Sequence, residues 1–109
     1  MGSEPVHTTN LVGKRIRSRR EELGWSQEKL GVLIGIDESS SRARISRYEL
    51  GNHEPQLGIA RNIAKALGVP LAYLYCEEND VAGLLLALGK MPTKKRTAVV
   101  STWLEYLAE

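Results

Sequence analysis

The 109-residue chain contains a single cysteine, Cys76, so no disulfide can form within it. That fits a reducing compartment, and a cytoplasmic location is expected. No stretch approaches the ~20 consecutive apolar residues of a membrane span. The first residues, Met-Gly-Ser-Glu-Pro-Val-His, lack the basic-then-apolar pattern of a secretion signal. Residues 1–8 are expected to form a disordered tail. His7 and His53 have no neighbours at metal-ligand spacing, and neither a glycine-rich phosphate loop nor a nucleophile–base pattern occurs. These absences argue against an enzyme, and no cofactor is expected. No β-hairpin signal competes with helix anywhere. The net charge of +2 is too small to establish a nucleic-acid partner by itself.

What the chain does have is helical periodicity from end to end. Thr9 or Asn10 can cap a first helix that runs to about Leu23, with Gly24 closing it and Val12, Ile16 and Leu23 on its inner side. Ser26 is a good cap for a second helix, in which Leu30 and Ile34 give one buried stripe before Gly35. A third helix is expected to start at Ser41, another capping residue, and to run to about Leu50 before Gly51. The acidic, polar segment Asp37-Glu38-Ser39-Ser40 lengthens the turn or adds an early turn of helix. Pro55 suits the first turn of a fourth helix to about Leu67, with Leu57, Ala60, Ile63, Ala64 and Leu67 inside and Gly68 ending it. Val69–Tyr75 reads as a short fifth helix. Trp25 reads as a cover at the core edge, and Cys76 as a packed or idle thiol.

Charge is unevenly placed. Lys14, Arg15, Arg17, Arg19 and Arg20 cluster early, and Arg42, Arg44 and Arg47 follow in the third helix. Through Tyr75 there are 11 basic and 8 acidic residues, and beyond it 4 and 5. At ~100° per residue, Ile45, Tyr48 and Glu49 share one side of the third helix, while Ala43, Ser46 and Arg47 share the other. A small, polar and cationic face opposite an apolar anchor suits a helix that enters a groove lined by phosphates. An ordinary amphipathic helix with a solvated basic face has the same pattern.

The stretch from Gly13 to Leu74 resembles the helix-turn-helix family of phage repressors and Cro proteins, the XRE family. The resemblance is carried by Gly-Lys-Arg-Ile-Arg at 13–17, Leu-Gly-Trp-Ser-Gln-Glu-Lys-Leu at 23–30 and Ile-Ser-Arg-Tyr-Glu-Leu-Gly at 45–51. Glu-Pro-Gln-Leu at 54–57 and Ile-Ala-Lys-Ala-Leu-Gly-Val at 63–69 complete it. It implies an all-α fold: a five-helix, lambda-repressor-like DNA-binding bundle over residues 9–76, with two additional C-terminal helices over 77–109. Gln27 matches the position that touches the DNA backbone and braces the reading helix. Arg42, Ala43 and Arg47 match positions facing base edges, with Arg44 and Ser46 adjacent. An arginine fork can donate two hydrogen bonds to guanine, and Ala43 can meet a thymine methyl. Arg20 and Glu49 match a structural ion pair tying the first helix to the reading helix. Two departures stand out. The connection between the second and third helices is four residues longer than the family's, which places acids near the DNA side. Gly31 stands where a small residue, often alanine, is usual.

Beyond Cys76, Val81, Leu84, Leu85 and Leu88 form an apolar stripe on a sixth helix, which Gly89 and Pro92 break. Thr93 can cap a last helix to about Ala108, in which Val99, Val100, Trp103, Leu104, Tyr106 and Leu107 spread over a wide arc. That is more apolar surface than one short helix needs to cover a small domain. Residues 80–108 are expected to join two copies as a homodimer; the other arrangement folds them back on the bundle. The functional expectation is a sequence-specific transcriptional regulator, a repressor, that binds a palindromic operator in double-stranded DNA. The alternative is an antitoxin-like or adaptor protein whose main role is protein binding through its final helices.

Overall fold

The computed structural model describes residues 10–109, all of whose regular structure is helical. Seven helices follow one another: α1 (Leu11–Glu22), α2 (Gln27–Leu33), α3 (Glu38–Leu50), α4 (Leu57–Leu67), α5 (Leu71–Leu74), α6 (Asn79–Gly89) and α7 (Thr93–Ala108). None of them is long and apolar enough to cross a membrane. Thr9 and the tail expected at residues 1–8 lie outside the described residues. Asn10 precedes α1 without a capping bond from its side chain.

Local chemistry sets most boundaries. Ser26 accepts from the Lys29 N–H and starts α2 as its spacing predicts. The predicted stops at Gly24, Gly35, Gly51 and Gly68 all carry positive φ, from 69° to 93°. The start of α3 differs. The helix begins at Glu38, capped by Asp37, whose carboxylate accepts from the Ser39 N–H. The extra segment therefore adds a turn of helix. Ser41, expected as the cap, is fully buried one turn inside, where its hydroxyl donates to the carbonyls of Ile36 and Asp37 at 3.0 Å.

The core lies where α1, α2, α3, α4 and α5 meet, with Ala82 of α6 added at its edge. Ile16, Leu30, Ile45, Ile63, Leu67 and Leu74 are completely enclosed, each burial contributing about 1.5–3 kcal/mol. Pro55 is buried in the loop before α4, Gln56 takes the capping position, and Leu57, expected inside, is exposed. The fifth helix is shorter than expected because Val69 and Pro70 remain extended before it. On α6 the inner residues are Ala82, Leu85 and Leu86, while Val81 and Leu84 of the expected stripe face outward. Trp25 and Cys76 pack at the edge of the core, as their surroundings in the sequence suggest.

Candidate nucleic-acid interface

A polar network fixes the position of α3. The Arg20 guanidinium donates twice to Glu49, from Nε at 2.6 Å and from Nη2 at 3.0 Å, and a third time to the Trp25 carbonyl. Gln27 donates to the same carboxylate at 3.0 Å. The Glu49 side chain is 3% exposed and that of Arg20 11%, so water screens the pair little. The carboxylate beside it raises the Arg20 pKa, which keeps the guanidinium charged at every accessible pH. One group thus ties α1, the start of α2 and the end of α3 together. The bracing role implied for Gln27 has a direct geometric basis.

The close approach of α2 and α3 needs Gly31. A methyl group there would overlap the Ser41 side chain and come too near its backbone. The resemblance implied only that this position be small; the added turn of α3, which drives Ser41 into the crossing, demands glycine itself.

Around this fixed helix the residues singled out in the sequence separate into three directions. Ala43 and Arg47 are exposed and Ser46 half-exposed on the side opposite Ser41, Ile45 and Tyr48, joined there by Ser39 and Leu50. The Arg47 guanidinium makes no hydrogen bond or ion pair among the described residues. Arg44 is turned to the flank, beside a groove shared with Asn52, His53 and Gln56. Arg42 is turned towards the start of α2, where it lines a hollow with Glu28, Asp37 and Glu38. There the neighbouring Glu38 carboxyl raises the Glu28 pKa by hydrogen bond and by charge, and Arg42 works against that shift. The Ser39 hydroxyl and N–H hold Asp37 below the ordinary aspartate value. Glu28 and Glu38, absent from the set chosen in the sequence, are therefore part of this rim. Their signal was the extra acidic segment facing an acid in the first turn of α2.

The early basic cluster divides in the same way. Arg15 donates twice to the Cys76 carbonyl, at 3.0 and 2.7 Å, and lies over the Tyr73 ring. Arg19 donates to the Leu67 carbonyl at 3.0 Å. These arginines, with Arg20, close helix ends and join elements. They lie beside the inner stripe of α1 at helical spacing; for Arg20 the family resemblance already implied an inward, structural role, and for Arg15 and Arg19 the packing decides it. Arg17 stays outside and pairs with Glu21 across one turn at 3.1 Å.

The model of the helix-turn-helix family matches residues 16–74, more than half of the chain. The chain belongs to the XRE-type helix-turn-helix family. Among relatives of this helix-turn-helix protein, an uncharacterized HTH-type transcriptional regulator of Sinorhizobium medicae (strain WSM419) is 41% identical over 64 residues, covering 59% of this chain and 43% of that one. An uncharacterized transcriptional regulator in the ATPase CF(0) region of Rhodospirillum rubrum is 37% identical over 71 residues, 65% of this chain and 62% of that one. The helix-turn-helix chain thus spans less than two thirds of these curated relatives. The crystal structure of the transcriptional regulator BswR superposes with a TM-score of 0.78 at 35% identity. It covers 88% of this chain and 95% of its own, so the likeness extends past the matched bundle into the C-terminal helices.

Proposed function

We propose that this helix-turn-helix protein is a sequence-specific DNA-binding transcriptional regulator, acting as a repressor. The observation that carries the reading is the outward face of α3. It presents Ala43, Ser46 and the unpaired Arg47 from a helix locked by the Arg20–Glu49–Gln27 network. Small side chains let such a helix sit deep in the major groove, and Arg47 can donate to guanine O6 and N7. Arg42 and Arg44 are placed on either flank. Arg44 is poised for the backbone, whereas Arg42 must turn from Glu28 and Glu38 to reach a base. Gln27, committed to Glu49, acts chiefly by holding the reading helix, and its backbone contact follows from its place at the start of α2.

Residues 80–108 join two copies in this reading. Two reading helices ~34–36 Å apart then meet successive major grooves, and the operator is an approximate palindrome. The exposed apolar end of α7 supports the pairing, and the same surface supports the second reading, an antitoxin-like or adaptor role. Selection of bound sites from random duplex DNA, followed by a salt titration, tests the proposal. A palindromic consensus and an affinity that falls steeply with salt are expected. Failure to enrich any duplex at low ionic strength would overturn it.

A further inference from the structure

The outward face of α3 carries one side chain that the packing of the chain does not explain. Leu50 is 60% exposed, the most exposed large apolar residue outside α7 among the described residues. It belongs neither to the core nor to the layer packed against it. At ~100° per residue it falls within ~20° of Ala43, with Ser46 ~40° to one side and Arg47 ~60° to the other. Leu50 thus lies near the middle of the arc that those three residues define. The other exposed or half-exposed side chains on that arc, Ser39, Ala43, Ser46 and Arg47, are small, polar or charged. A protein partner would call for a contiguous apolar patch of about a few hundred Å², which one leucine in such company does not make. The floor of the major groove suits it better, because thymine offers single methyl groups there among hydrogen-bonding base edges.

Charge decides which part of α3 approaches the bases most closely. Asp37 and Glu38 stand at its start, beside Glu28 of α2. Arg44 and Arg47 lie in its second half, and the Arg47 guanidinium has no partner among the described residues. Phosphates along the groove walls repel the first turn and draw in the later ones. Leu50 follows Arg47 by ~4.5 Å along the helix axis, little more than one base step of ~3.4 Å. We propose that Leu50 is a specificity-determining residue, packing against the 5-methyl group of a thymine about one base step from the guanine held by Arg47. The inference rests on the DNA-binding reading of α3, and it adds a side chain to the reading set and names the base which that side chain selects.

The duplex selected from random DNA supplies the test. Each thymine of one half-site is replaced in turn by deoxyuridine, which keeps the base pairing and lacks only the methyl group. Fluorescence anisotropy then compares the full-length wild type with L50A. At one position deoxyuridine should weaken wild-type binding about fourfold, the effect of one buried methyl group, and leave L50A unaffected. L50A should also bind the unmodified duplex about fourfold more weakly than wild type. Deoxyuridine changes the DNA alone, so the wild-type result stands whatever the substitution does to the fold. Wild-type binding that ignores deoxyuridine at every thymine would overturn the inference. So would an L50A that responds wherever wild type responds, or a selected half-site without thymine; in each case DNA binding itself is left standing. If no duplex is enriched at low ionic strength, the DNA-binding reading falls and this inference falls with it.

Discussion

Glu49 is a carboxylate almost without solvent, held by two donors from Arg20 and one from Gln27. Removing it leaves a guanidinium enclosed without its counter-charge. Glu49→Ala should therefore lower unfolding free energy by about 3–5 kcal/mol, read as a drop in the denaturant midpoint; an unchanged midpoint would refute the structural assignment. Gly31 sets two effects of opposite sign against each other. Alanine is the better helix former by about 1 kcal/mol, but its methyl would collide with Ser41 at the α2–α3 crossing. Forcing a methyl into a closed contact costs about 1–3 kcal/mol, so the collision should win and Gly31→Ala should melt at a lower temperature. Arg20 and Glu49 were legible in the sequence through the family resemblance alone. The demand at Gly31 was not, because it depends on where Ser41 lies in space.

The added turn at the start of α3 brings Glu38 beside Glu28 on the rim that faces DNA in the proposed complex. The raised pKa of Glu28 gives the sign of the pH effect. Above it both carboxylates are charged and repel phosphate; as pH falls through it the pair takes up a proton and the repulsion weakens. The same shift means that the folded protein holds this proton more tightly than the unfolded chain, so acidification also relieves a repulsion within the fold. At fixed salt, DNA affinity should rise as pH falls below neutral and Glu28 takes up its proton, earlier than an unperturbed glutamate would. Glu28→Gln should bind more tightly at neutral pH and lose most of that dependence, as measured by fluorescence anisotropy. A variant with wild-type affinity and pH profile would show that the rim does not approach phosphate. The sequence located the extra acidic segment but left open whether it was turn or helix. Asp37 decided that by capping in place of Ser41.

The molecule as a whole consists of a bundle closed around its core and one helix that stands outside it. Ala82 on α6 belongs to the core, whereas α7 contributes no buried residue. A chain ending at Met91 should therefore keep the melting temperature of the full protein within a few degrees. A loss of ~1 kcal/mol would move a domain of this size by about 4–8 °C. Light scattering should show the shortened chain as a monomer; a persistent dimer would place the contact elsewhere.

The sequence by itself determined the seven helices of the described residues, the glycine stops and most core positions of α1, α3 and α4, and it singled out the candidate reading set at 42–47. These follow from local chemistry and from a period of 3.6 residues, both of which act within a few turns of chain. Tertiary structure decided what several residues of that pattern do. It turned Arg15 and Arg19 inward onto the carbonyls of Cys76 and Leu67, buried Ser41 against Gly31, aimed Arg42 at two acids and left the end of α7 without cover. Periodicity places a side chain on a face of its own helix, but which carbonyl, carboxylate or open solvent lies opposite is settled only when the helices pack.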